Sequence, residues 1–248
     1  MKFALPKLLA CLILSIGLIG CAESTEAPAV EEAAVTDAEY PDAATAAPEV
    51  YSVLTENDRV RMLEMKLPIG VTDEMHTHPD EAAFFITGSA IKIHMPDGET
   101  IEMVIPDGHP FSHEAWSHAV ENFGKTDLHA IVVEIMDGGR ENAGIVPEGM
   151  AADAISPDVY TLLFEDDRVR IIEMKLAAGA SDAEHVHPFE AVYFMTGGKL
   201  RITVPEGDPI EAEIPDGGVL THEMWKHSVE NIGDTDVHAI IVELVQSN

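Results

Sequence analysis

The chain has 248 residues, 46% apolar and 24% charged, enough for one large domain or for two of roughly 100 residues that each bury a core. Acidic residues outnumber Lys and Arg by 45 to 14, and a formal net charge of −31 repels phosphate backbones and anionic lipid headgroups. Nucleic acid is therefore excluded as a partner on charge alone.

In chain order, Lys2 and Lys7 precede the apolar run LLACLILSIGLI at 8–19. A basic flank with a short apolar stretch reads as a secretory signal, and the run is short of the ~20 residues of a membrane span. The signal is expected to occupy residues 1–20. Leu18-Ile19-Gly20-Cys21 resembles a bacterial lipobox. That resemblance implies lipidation of Cys21, loss of Cys11 with the signal, and a mature chain with no free thiol. It also implies a cell-envelope location on the periplasmic side, with Ala22 after the cysteine consistent with outer-membrane sorting. Residues 21–49 are rich in Ala, Glu, Pro and Thr with few large apolar groups, and are expected to form a disordered tether of roughly 30 Å reach.

The remainder is one unit written twice. From Tyr51 to Ile135 an offset of 109 holds without a gap, and 45 of these 85 positions are identical in the two copies. A repeat of this kind has to be fixed before the fold. It divides the chain into domain 1 at 50–136, a connector at 137–158, and domain 2 at 159–246. Within each unit, apolar and polar residues alternate, as in Ile91-Lys92-Ile93-His94 and Leu200-Arg201-Ile202-Thr203. Period two marks half-buried strands. Turn signals recur at Pro96-Asp97-Gly98, Pro106-Asp107-Gly108 and Asn122-Phe123-Gly124, with counterparts one offset later. No long segment has helical periodicity. The pattern predicts an all-β sandwich or jelly roll.

Five histidine pairs match between the copies: His76/His185, His78/His187, His113/His222, His118/His227 and His129/His238. Residues i and i+2 of a strand share a face, so His76 with His78, and His185 with His187, can converge on one point. Imidazole is the commonest ligand of transition metals, whereas an isolated HxH is more often a surface pair. His113 and His222 read either as partners of a ligand histidine or as loop packing. His129 and His238 read as structural, and Trp116 and Trp225 as pocket caps or rim residues.

Each unit resembles the cupin family, whose first motif is G(X)5HXH(X)3–4E(X)6G. The first copy has Gly70, His76, His78, Glu81 and Gly88, and the second has Gly179, His185, His187, Glu190 and Gly197. Both place the glutamate after two residues instead of three or four. The second motif survives as His118-Ala-Val-Glu-Asn122 and His227-Ser-Val-Glu-Asn231. The resemblance implies two tandem cupin jelly-roll β-barrels packed as a pseudo-twofold pair. It implies one divalent transition metal (Fe, Mn, Zn, Ni or Cu) per barrel, held by His76, His78, Glu81 and His118 and by His185, His187, Glu190 and His227. His113, His222, Trp116 and Trp225 would stand around these sites. The early glutamate leaves a three-histidine set as the alternative. The function implied is a metal-dependent enzyme, an oxygenase acting on a small organic molecule. The alternative is a non-enzymatic binder of metal or small ligands in the periplasm. Partners would be a small molecule and, through Cys21, the membrane; higher oligomers are compatible with both readings. No GxSxG elbow, phosphate loop or dinucleotide turn competes with these readings.

Overall fold

The computed structural model describes residues 40–247. The signal, the lipobox and most of the tether lie outside the described residues. Each repeat folds as nine strands in two facing sheets. The first repeat comprises β1 (Tyr51–Glu56), β2 (Val60–Leu67), β3 (His76–His78), β4 (Glu81–Thr87), β5 (Ala90–His94), β6 (Thr100–Val104), β7 (His109–His113), β8 (Trp116–Asn122) and β9 (Leu128–Ile135). Its five-stranded sheet runs β1-β2-β9-β4-β7 and its four-stranded sheet β3-β8-β5-β6. The second repeat repeats both orders with β10 (Tyr160–Glu165) to β18 (Val237–Leu244). All the ladders are antiparallel. These are the two tandem jelly rolls expected from the alternating strands.

The motif glycines serve the fold in two different ways. Gly70 holds φ +76° in the turn before β3, a conformation that disfavours a side chain. At Gly88 a Cβ would lie 2.0 Å from the Ile105 carbonyl oxygen, so the chain crosses there at contact distance. Gly179 and Gly197 repeat both features.

The five-stranded sheet is buried on both faces, which explains why its strands read as near-continuous apolar runs. Along β9, Leu128, Ala130 and Val132 join the core inside the first barrel. The alternate residues Ile131, Val133 and Ile135 join a second cluster with Val169, Ile171, Tyr193 and Val242 of the other repeat. The two barrels thus meet through the outer faces of their five-stranded sheets. Polar contacts at the edge of this junction are reciprocal. Arg59 pairs with Glu223 at 2.7 Å, and its counterpart Arg168 approaches Glu114 at 3.8 Å. The reciprocity is that of a pseudo-twofold pair.

Two boundaries differ from expectation. The expected tether is ordered from Tyr40: helix α1 (Ala43–Ala46) places Ala43 and Ala47 in the first barrel's core. Asp42 bridges to Thr77 beside β3 and pairs with Arg61. In the expected connector, helix α2 (Ala152–Ile155) does the same for the second barrel, with Ala152 in its core. Alanine is small enough to pack a helix tightly against a sheet, so a composition that looks like linker closes the barrel instead.

Candidate metal centres

Strand register assembles each site. In the four-stranded sheet His76 lies opposite His118, and His78 lies two residues further on the same strand face. The three rings come together with centroids 4.7 Å (His76–His118), 4.8 Å (His76–His78) and 5.3 Å (His78–His118) apart. All three are buried, and each offers a nitrogen within 4.8 Å of the others. His185, His187 and His227 form the same group in the second barrel. Each barrel therefore contains a three-histidine site with the donor set of a transition-metal centre.

Hydrogen bonds to the outer nitrogens set the tautomers. His76 Nδ1 lies 2.7 Å from the Glu74 carbonyl oxygen, which can only accept, so Nδ1 carries the proton. His78 Nδ1 lies 2.7 Å from Glu134 Oε1, so it too is the donor. Both Nε2 atoms then present lone pairs, and they face each other at 3.0 Å. Two lone pairs at that distance repel unless a cation or a proton lies between them. The second barrel has the same geometry: His185 Nδ1 to the Ala183 carbonyl at 2.8 Å, His187 Nδ1 to Glu243 at 2.6 Å, and Nε2 to Nε2 at 3.0 Å. Nδ1 of His118 and of His227 is buried without a hydrogen-bond partner. These third rings are positioned by packing: Trp116 covers His118 and Trp225 covers His227, each at 3.9 Å.

Behind the triad, register builds a polar row across the inner face of the five-stranded sheet. Arg61 lies opposite Glu134, Glu134 opposite Glu81, and Glu81 opposite His113. Arg61 donates to Glu134 Oε2 at 2.5 Å and to Asp42 at 3.0 Å. In the second barrel Arg170 joins Glu243 to Asp153 in the same way. Burial alone would raise the Glu134 carboxyl, but hydrogen bonds from His78 and Arg61 and their charge hold it below the usual carboxylate range. Burial raises the neighbouring Glu81, with the Glu134 charge adding to it against the opposing pull of His78 and Trp116. Burial, then the charge of His78, pushes His76 down to about 4, and burial pushes His118 down to about 2. For His78 burial is outweighed by the charges of Glu81 and Glu134, and its pKa rises. At neutral pH His76 and His118 are thus unprotonated, as ligation requires.

Glu81 and Glu190 lie beside the triads and outside the three-nitrogen groups. Glu81 Oε1 accepts from Trp116 Nε1 at 2.7 Å, and Oε2 lies 3.3 Å from His78 Nδ1, the outer nitrogen. Glu190 accepts from Trp225 Nε1 at 2.6 Å. Glutamate three residues after the second histidine of HxH starts the next strand, where Glu81 faces Glu134 across the ladder. His113 stacks on Trp116 at 4.1 Å and bonds through Nδ1 to the Glu114 carbonyl, while His222 stacks on Trp225 at 3.9 Å. Both stand one ring further out than the triad. His129 and His238 pair with Glu64 and Glu173 at 2.9 Å, away from the triads.

Sequence reasoning passed over Glu134/Glu243, Arg61/Arg170 and the buried pairs Tyr51–Asp73 and Tyr160–Asp182. A signal was present: an identical charge interrupts the same apolar strand in both copies, LHAIVVEI and VHAIIVEL. In the first barrel a cavity of about 60 Å³ adjoins the triad, with His78, His118, Glu81 and Trp116 in its wall.

No protein-family model matches the chain, and no curated protein matches it in sequence. Solved structures do. One is Bacillus subtilis oxalate decarboxylase in a study of its Mn(II) centres, at 18% identity and TM-score 0.51, over 77% of this chain and 70% of that one. Another is Lactobacillus farciminis oxalate decarboxylase in complex with formate, at 17% identity and TM-score 0.53, over 79% of this chain and 80% of that one. A cupin domain from Bordetella pertussis aligns at 27% identity and TM-score 0.33, over 35% of this chain and 91% of its own. The likeness to the decarboxylases shows the fold, a pair of cupin barrels in one chain.

Replacing the residue behind the ligand tests the assigned tautomer. Glu134→Gln keeps an acceptor for Arg61 but removes the charge that orients His78. Its expected effect is a roughly 10–100-fold loss of metal affinity in the first barrel, read by competition with a chromogenic chelator. Unchanged affinity would mean that Glu134 does not set His78.

Proposed function

We propose that each barrel binds one divalent transition metal through its three histidines, and that the protein is a metal-dependent enzyme, an oxygenase acting on a small organic molecule. The observation that carries the metal reading is the convergence of three buried histidines in both barrels, two of them with Nε2 atoms 3.0 Å apart. Two nitrogens each about 2.1 Å from one ion lie about 3.0 Å apart at a right angle and about 3.4 Å apart at the tetrahedral angle. The observed spacing accommodates one ion between the two nitrogens. Mn(II) centres occur in a structural neighbour, Bacillus subtilis oxalate decarboxylase. Three protein ligands leave coordination positions for substrate or oxygen, and the bound metal would supply Lewis-acid or redox chemistry there.

The chain's own residues do the rest. Glu134 and Arg61 hold His78 in the ligating tautomer, and Asp73 fixes Tyr51 against the rings of His76 and His78. Glu81, with its raised pKa, is the group best placed to hold or release a proton at Oε2 beside the cavity. The apolar chamber against the triad favours an enzyme over a store of metal, because a binder has no use for it. A non-enzymatic binding protein is the second reading, supported by the identical triad in the second barrel.

Elemental analysis after reconstitution tests the metal reading. The expected content is two equivalents of Mn or Fe in the native chain, one in His76→Ala, one in His185→Ala and none in the double variant. Less than half an equivalent in the native chain would sink it. The envelope location rests on the sequence Leu18–Cys21 and is part of the same proposal. Cys21→Ser is expected to move the protein from the membrane fraction to the soluble fraction. Retention in the membrane fraction would contradict the lipid anchor.

A further inference from the structure

The two metal sites match almost atom for atom, but the barrel interiors around them do not. In the first barrel Ala83 and Val132 line the cavity beside His78 and His118. Their counterparts are Val192 and Ile241, both packed in the second barrel's core. These two exchanges add three carbon atoms to the second interior and Leu128 to Val237 removes one, a net gain of two at positions that in the first border a space of only about 60 Å³. Rim differences run the other way: Phe111 becomes Leu220, Met103 becomes Ala212 and His109 becomes Gly218. Bulk beside the triad is thus greater in the second barrel and bulk at the rim greater in the first.

Charge narrows what the chamber can take. No lysine or arginine lines it. Glu81 is neutral or negative, and its Oε1 is already engaged by Trp116. The Tyr51 hydroxyl is committed to Asp73. His109 pairs with Phe85, four residues along β4 from Glu81, and so stands roughly 13 Å from the triad end. A dianion in this chamber would meet a carboxyl group and apolar walls, and only the charge of a bound metal would offset its lost hydration. Space for about four waters, at ~15 Å³ each, sets the size.

We propose that the first barrel alone keeps a ligand chamber beside its histidine triad, built for a small uncharged and largely apolar molecule, while the second barrel's interior is filled by its own side chains. Oxalate, the substrate in its structural neighbours' names, would find only the metal to hold its charge there. The chamber's reactivity rests on the metal reading given above; its existence and polarity do not.

Xenon is the probe for the chamber, followed by methyl NMR of the full chain in metal-free form. Saturable shifts are expected at Ile91, Ile93 and Ile105, with Ile202 and Ile214 of the second barrel unmoved. Ala83→Val should weaken xenon binding at least tenfold, and Val192→Ala should create a xenon site in the second barrel. Each variant installs the residue that the other barrel already tolerates. Equal shifts in both barrels, or none in the first, would overturn the proposal. Millimolar oxalate, added to the metal-free and to a Zn(II)-loaded form, is expected to leave the Ile91, Ile93 and Ile105 methyls unshifted. Saturable oxalate shifts there would overturn the assigned ligand class. If zinc, manganese and iron all fail to load while xenon binds as expected, the metal reading fails and the chamber stands.

Discussion

Everything at the first site depends on one hydrogen bond, from His78 Nδ1 to Glu134 Oε1 at 2.7 Å. It puts the imidazole proton on the outer nitrogen and leaves Nε2 bare toward His76 and His118. Glu134 is ionised to do this because Arg61 stands opposite it in the ladder, anchored in turn by Asp42. A buried carboxylate is expensive without partners, and here it has two charged or polar ones. The second barrel keeps the bond and the arginine but takes the last anchor from Asp153, a different position of the short helix. The linkage is preserved where the individual residue is not, which marks the linkage as the constraint.

The fold supplies the rigidity that this bond needs. Glu134 continues the inward row of Leu128, Ala130 and Val132 on β9, a strand whose other face packs against the second barrel. A strand held on both faces cannot slide its register, and a slip of one residue would turn Glu134 away from His78. Pairing of the barrels therefore does more than bury apolar surface: it fixes the strand that orients each site. Arg59–Glu223 and its counterpart at Arg168 lie at the edge of that same junction.

Much of this was legible in the residues. Alternation and turns gave the strands, the 109-residue offset gave the two units, the HxH spacing gave two histidines of each triad, and the resemblance to the second cupin motif gave the third. Two things were not legible, each for a physical reason, and a third, the place of Glu81, was left open by the residues. Ala43 and Ala47 look like linker because alanine favours no single environment; only the neighbouring sheet reveals them as core. Glu134 sits in an apolar strand 56 residues from its partner His78, and only strand order brings them together. Glu81 follows HxH in sequence, yet its side chain joins Trp116 and the polar row of the sheet. Chain proximity to a ligand motif did not place it in the three-nitrogen group.

The central claim is that three imidazole nitrogens in each barrel close on one ion. Anomalous diffraction from crystals of the reconstituted protein, collected at the absorption edge of the added metal, tests it most directly. The account predicts two peaks, each about 2.0–2.2 Å from one nitrogen of each of its three histidines, with Glu134 and Glu243 still bonded to Nδ1 of His78 and His187. Peaks at the acidic surface, or ions held by one or two histidines in either barrel, would contradict it.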